Sequence, residues 1–335
     1  MKKGSLNLKI TKNIYFLNFN QDNTCFCIGT DEGYELYNCE PLKRIKKKKY
    51  GKYGICYIAM LYRTNILGLI EKSIDLEKTE EKKLLLYDDK NDKIHASILF
   101  HDQIQNIYLS TEYIVVCLRK DIFIYELETV KLIKKINCNI TDLVSICAKY
   151  FKIIIPDKKV GILNILTPDS NLNWETLKIE AHKTSVHKTA FSESGNYIAT
   201  CSKKGTLIRI FHTVTGQLVK ELRRGTDEAI INWLNFSSNE EYLLCQSKKG
   251  TVHVFHTEIT SLKNKNTKFS KIKNYFKNYL PSYFESEWSF AHFHFPNVIT
   301  ISSFSKIPNN IYVISFKGIV YKINYENTDY VTISK

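Results

Sequence analysis

Two arginines stand side by side in "ELRRGTDEAIINWLNFS", a stretch beginning at Glu221. Arg223 and Arg224 are permanently charged, and each guanidinium can grip phosphate oxygens through two parallel hydrogen bonds. On an extended strand, successive side chains leave on opposite sides. The doublet therefore reads as one rigid link feeding two separate anion pockets. Gly225 is expected to permit a turn that a residue with a Cβ would resist. The competing reading is a pair of surface arginines making dispensable salt bridges.

A repeat brackets the doublet. "SGNYIATCSKKGTLIRIFHTVTG" from Ser194 is echoed by "NEEYLLCQSKKGTVHVFHTEIT" from Asn239. The SKKGT pentapeptides begin at Ser202 and Ser247, 45 residues apart. Thr206 and Thr251 occupy the same place in the two copies, so one hydroxyl-lysine-glycine design is used twice. Lys203, Lys204, Lys248 and Lys249 add general attraction for anions. His292 and His294 share a strand face, but no third ligand is in view, and packing is the preferred reading over metal binding.

The elements that position these residues follow from period-2 apolar alternation along the whole chain. Each repeat reads as strand, tight glycine turn, and strand ending in an aromatic, the pattern of a propeller blade. Echoes around Tyr37, Tyr87, Tyr125, Asn164, Phe211, Phe255 and Tyr321 look like one inner strand repeated seven times. The expectation is an all-β, seven-bladed propeller of WD-repeat type, a single domain over 1–335. The Trp-Asp dipeptide of many such repeats is missing.

A surplus interrupts blade six over 257–287, after its third strand; "WSFAHFHFP" then resumes an alternating strand. Phe269, Ile272, Phe276, Tyr279, Leu280 and Tyr283 fall at helix-like spacings, with Lys268, Lys271, Lys273 and Lys277 between them. Pro281 stops a full-length helix. A basic face opposed to an aromatic face describes a segment that orders at a lipid surface; a solvated loop is the rival reading.

Composition narrows the partners. The 335 residues are 44% hydrophobic and 13% aromatic, with a formal charge of +14, which favours polyanionic partners. Nine cysteines without a CxxC spacing fit buried free thiols rather than a zinc site. No apolar run is long enough to span a bilayer, and "MKKGSLNLKITKN" is a poor signal peptide. No Gly-rich phosphate loop, nucleophile elbow or zinc-hydrolase motif appears, so neither an enzyme nor a cofactor is expected.

The chain resembles the PROPPINs, phosphoinositide-binding seven-bladed propellers of autophagy called WIPI proteins in animals. The resemblance spans nearly the whole sequence. It rests on "NFNQDNTCFCIGTDEGYELYNCEP" from Asn18 in the first blade and on "LYRTNILGLI" and "LLLYDDKNDK" in the second. It continues through "AHKTSVHKTAFSESGNYIATCSKKGTLIRIF" and "LRRG" in the fifth, and "YFESEWSFAHFHFP" at the end of the sixth. Leu222 stands where most members carry Phe. The resemblance implies a first inositide pocket of His182, Thr200, Ser202, Gly205, Thr206, Arg209 and Arg223. It implies a second of Arg224, Gly225, Ser247, Thr251 and His253, with Phe269, Ile272, Phe276, Tyr279 and Leu280 entering the membrane. His182 and His253 also have a reading as ordinary propeller core or turn histidines.

The implied ligands are phosphatidylinositol 3-phosphate and phosphatidylinositol 3,5-bisphosphate. The implied role is recruitment of lipid-transfer or conjugation proteins by a monomer bound peripherally to autophagic, endosomal or vacuolar membranes. "EKSIDLEKTEEKK" from Glu71 matches a docking region of relatives. Nucleic acid is not expected. The alternative is a WD-type protein- or RNA-binding scaffold with "KRIKKKKYGK" from Lys43 as a basic arm, a run that reads as a solvated loop.

Overall fold

The computed structural model describes residues 6–7, 13–74, 79–139, 143–259, 287–295 and 299–326. Strands of five to seven residues dominate, joined by short turns, as the alternating apolar pattern demands. They form seven antiparallel sheets: six of four strands and one that gains a fifth. The chain is a seven-bladed β-propeller.

Blade one illustrates the order, with strands Ile14–Phe19, Cys25–Thr30, Gly33–Asn38 and Lys43–Lys49 paired in sequence. The first strands lie innermost: a cavity at one end of the central channel is lined by Asn18, Met60, Leu109, Cys147, Ser192 and Asn235, from the first strands of six blades or just beyond them. The seven echoed segments are therefore not the inner strand that the repeat suggested. Tyr37, Tyr87, Tyr125, Asn164, Phe211, Phe255 and Tyr321 all lie in the third strand, one in from the outside. These strands read as apolar because both faces are covered by neighbouring blades; Leu84–Asp88, for example, is buried throughout.

The ring closes by sharing a sheet between the two ends of the described chain. Leu6–Asn7 pairs antiparallel with Ile319–Asn324 and forms the fourth strand of blade seven. The contact between blades seven and one is apolar, with Phe26, Ile28 and Tyr37 packed with Tyr312, Ile314 and Val320. Removing side chains of this size from water contributes about 1.5–3 kcal/mol each.

The basic run at Lys43 is a strand, not the expected loop. Lys43–Lys49 is the outer strand of blade one, and its charges are largely partnered. Arg44 and Lys47 reach the buried Glu35 carboxylate at 3.5 and 3.3 Å, and Lys46 reaches Asp89 at 3.5 Å. All nine cysteines are free thiols, and eight are buried.

Blade six is interrupted where the sequence placed the surplus. Its third strand is Thr251–His256 and its outer strand is Ala291–His294. Phe269, Ile272, Phe276, Tyr279 and Leu280 lie outside the described residues. Between the two strands, Glu287–Trp288 pairs parallel with the outer strand of blade five, making its fifth strand. Sequence reasoning gave no sign of that pairing.

Candidate functional site

Blade five's outer strand, Leu218–Arg223, carries the doublet to its edge. Leu222 is the anchor: it is fully buried among Ile208 and Ile210 of its own blade and Ile231, Leu243, Cys245 and Phe255 of blade six. Leu in place of Phe thus keeps an apolar plug between the two blades. With Leu222 turned toward blade six, strand alternation puts Glu221 and Arg223 on the opposite face. Arg224 continues the pairing, its N–H donating to the Thr206 carbonyl at 2.9 Å, and returns to the blade-six side. The two arginines leave the backbone on opposite faces.

On the first face, Thr200 and Arg209 are cross-strand partners, as are Arg209 and Glu221. Arg209 Nε donates to Glu221 Oε2 at 2.8 Å, and Nη1 donates to the Ala181 carbonyl at 2.8 Å. His182 Nε2 lies 3.0 Å from Thr200 Oγ1, which also donates to the Arg209 carbonyl at 3.3 Å. Burial, helped by the Arg209 charge, pushes the His182 pKa down to about 4. The imidazole is neutral near pH 7. Thr200 is fully buried, so its hydroxyl orients His182 rather than facing solvent.

On the second face, Arg224 Nε donates to the Gly205 carbonyl at 2.9 Å, and Nη2 donates to the Asp227 carbonyl. Among the described residues, no carboxylate pairs with it. Burial and the charges of Arg224 and His292 push the His253 pKa down to about 4. His253 Nδ1 lies 3.0 Å from Ser289 Oγ, and Thr251 Oγ1 lies 3.1 Å from His294 Nδ1. His292 and His294 are exposed on this blade, and no group of three metal-ligating side chains occurs among the described residues.

The twin pentapeptides fold alike. In each, serine and glycine are buried and both lysines are exposed. Gly205 and Gly250 adopt φ of +64° and +85°, and each donates its N–H to the preceding serine carbonyl at 2.9 Å. A Cβ would sit 1.9 Å from the Ala229 carbonyl oxygen at Gly205, and 2.1 Å from that of Phe295 at Gly250. Both positions require glycine. Gly225 does not: it has no positive φ, and a Cβ there meets nothing within 4 Å. The expected turn at Gly225 is corrected, because the sharp turns lie in the pentapeptides instead.

Structure thus gathers His182, Thr200 and Arg209 at one rim position with Arg223 on the same face, and Arg224, His253 and Thr251 at another. Ser202 and Ser247 are buried at the strand ends, and Thr206 is half-buried at its turn. Sequence reading missed Glu221, the partner of Arg209. Its signal was present, since it lies two residues before Arg223 and so shares its face. It also missed Ser289 and Trp288, which the return of the chain brings to the rim.

The PROPPIN family model matches residues 13–333. SVP1-like protein 2 of Eremothecium gossypii is 33% identical over 278 residues, covering 71% of this chain and 69% of its own. Autophagy-related protein 18 of Dictyostelium discoideum is 31% identical, covering 76% of this chain and 68% of its own. The solved structure of Kluyveromyces lactis Hsv2 with complete loop 6CD superposes with a TM-score of 0.81, at 24% identity and covering 96% of both chains. The complex of KlAtg21 with the coiled-coil of AgAtg16 gives a TM-score of 0.72 at 24% identity, covering 93% of this chain and 94% of that one. With a family match across nearly the whole chain and relatives above 30% identity, the chain belongs to the PROPPIN family of β-propellers.

Proposed function

We propose that this protein is a non-enzymatic phosphoinositide effector. It binds phosphatidylinositol 3-phosphate and phosphatidylinositol 3,5-bisphosphate through two rim pockets that share the LRRG segment. One observation carries the reading: Leu222 is buried between blades five and six, so Arg223 and Arg224 are sent to opposite faces. The first pocket is assigned His182, Thr200, Ser202, Gly205, Thr206, Arg209 and Arg223. The second is assigned Arg224, Gly225, Ser247, Thr251 and His253. In this reading the buried hydroxyls position their neighbours, and the guanidinium groups meet phosphate.

Two weak pockets on one rigid edge act together, because the second headgroup meets its site at high effective concentration. Avidity then exceeds either single affinity by roughly 10²–10⁴. Phe269, Ile272, Phe276, Tyr279 and Leu280, within the blade-six surplus, are assigned to membrane insertion, adding residence time at organelle surfaces of the autophagic, endosomal or vacuolar kind. Among the described residues, no helix is long and apolar enough to cross a membrane, which suits peripheral attachment. Recruitment of autophagy proteins is supported by relatives named for autophagy and by a neighbour solved with a coiled-coil.

Flotation with phosphatidylcholine vesicles, with and without each phosphoinositide, tests the reading. Arg223→Ala and Arg224→Ala should each lower binding to 3-phosphorylated vesicles by roughly one to two orders of magnitude, and the double change should abolish it. Binding that ignores the 3-phosphate, or survives the double change, defeats the proposal.

A further inference from the structure

The chain re-enters the described structure at Glu287 and crosses the rim in four residues. Leu222 pairs with Glu287 and Arg223 with Trp288 in parallel register. Partners in such a pair project to the same face. The Glu287 side chain agrees: its Oε2 lies 2.6 Å from the amine of Lys220, two residues before Leu222 and on the Leu222 face. The same Lys220 amine holds Glu258 at 3.0 Å. Trp288 is therefore on the Arg223 face, with Glu221 and Arg209. Ser289 turns the other way and meets His253 at 3.0 Å. The segment is pinned on both sides of Trp288.

What is pinned is a large apolar ring left in the open. Trp288 is 53% exposed, and among the described residues no acceptor takes its indole N–H. The exposed lysines of both SKKGT turns, Lys203, Lys204, Lys248 and Lys249, lie on the same two blades. A cationic rim bearing one indole on a strand-paired backbone matches a surface that is anionic outside and apolar just beneath. Tryptophan favours that boundary because its ring is apolar and its N–H remains wet.

We propose that Trp288 is a fixed membrane contact, seated among lipid headgroups beside the first pocket and setting the tilt of the propeller. The proposal extends the lipid-binding reading, yet is separable from it. Residues 260–286 are not needed for it, because the placement of Trp288 comes from blade five and Lys220.

The test uses the full chain with Trp174→Phe and Trp233→Phe, which leaves Trp288 as the one indole of three. On phosphatidylcholine–phosphatidylserine vesicles bearing phosphatidylinositol 3-phosphate, its emission should shift to the blue and be quenched by brominated phosphatidylcholine. In the otherwise unaltered chain, Trp288→Ala should weaken vesicle binding roughly five- to twentyfold while leaving affinity for soluble inositol 1,3-bisphosphate within about twofold. An unshifted, unquenched indole overturns the proposal. So does an equal loss of soluble-headgroup affinity, which would place the ring inside the pocket. Burial of Trp288 only on adding a protein partner would also overturn it. Vesicles with phosphatidylserine but no inositide separate the two ideas: quenching there supports the contact even if inositide selectivity fails.

Discussion

Arg209 and Glu221 form a 2.8 Å ion pair on the same face of blade five as Arg223. A carboxylate inside a pocket assigned to phosphate opposes the ligand, yet it also fixes the guanidinium that the ligand would meet. Both side chains are mostly buried, at 25% and 20% exposure, so solvent screens the pair only in part.

Glu221→Gln keeps an oxygen to accept from Arg209 Nε and deletes the negative charge. Affinity for phosphatidylinositol 3-phosphate should rise roughly three- to tenfold at low salt, and the gain should shrink at high salt. Titration with the soluble headgroup at two salt concentrations reads this directly. A loss of affinity would mean that the carboxylate's grip on Arg209 matters more than its charge.

The pentapeptide glycines give a sharper test of which turns are constrained. Gly205→Ala would drive a Cβ to 1.9 Å from the Ala229 carbonyl oxygen at a φ of +64°. It should cost at least 1–3 kcal/mol, lowering the melting temperature by several degrees. Gly225→Ala meets open space and should melt within about a degree of the unaltered chain. Equal effects at the two positions would contradict the backbone conformations of Gly205 and Gly225.

Those glycines also mark how far the sequence could be read. The SKKGT repeat revealed blades and twin turns because a tight turn demands glycine at a fixed place. Seven aromatic-ended strands were visible for a similar reason, but their radial position was not. Period-2 alternation reports which faces are covered, not which strand lines the channel, so Tyr37 and its counterparts sit two strands farther out than the inner position the repeat suggests. The run at Lys43 hid a strand because lysine is a poor strand former on average, yet here tertiary partners such as Glu35 and Asp89 decide. The parallel pairing of Arg223 with Trp288 joins residues 65 apart across the blade-six surplus, and no local pattern encodes it.

Lys220 offers a test of how that surplus is held. Its amine lies 3.0 Å from Glu258 and 2.6 Å from Glu287, and its side chain is only 10% exposed, whereas the glutamates are 60% and 46% exposed. Lys220→Met fills the same space without the charge. The exposed glutamates can return to water, so global stability should fall by no more than about 1 kcal/mol. Limited proteolysis within 257–289 should nevertheless accelerate several-fold, while soluble-headgroup affinity is preserved. Unchanged cleavage would show that the strand pairing at Glu287 suffices alone.

Acid should weaken the fold through two histidines. Burial, then Arg209, holds the His182 pKa at about 4 against 6.5 for an ordinary imidazole; burial, then Arg224 and His292, does the same for His253. Between those values the unfolded chain binds protons that the native chain does not, so stability rises with pH across the window. It is complete above pH 6.5, declines as pH falls toward 4, and loses nothing more from these groups below that. Each imidazole accounts for roughly 2–3 kcal/mol, its partial exposure discounted. Chemical denaturation at pH 7 and pH 4.5 should show the loss, and changing both His182 and His253 to Gln should flatten it by several kcal/mol. A double variant as acid-sensitive as the unaltered chain would move the cause away from the rim.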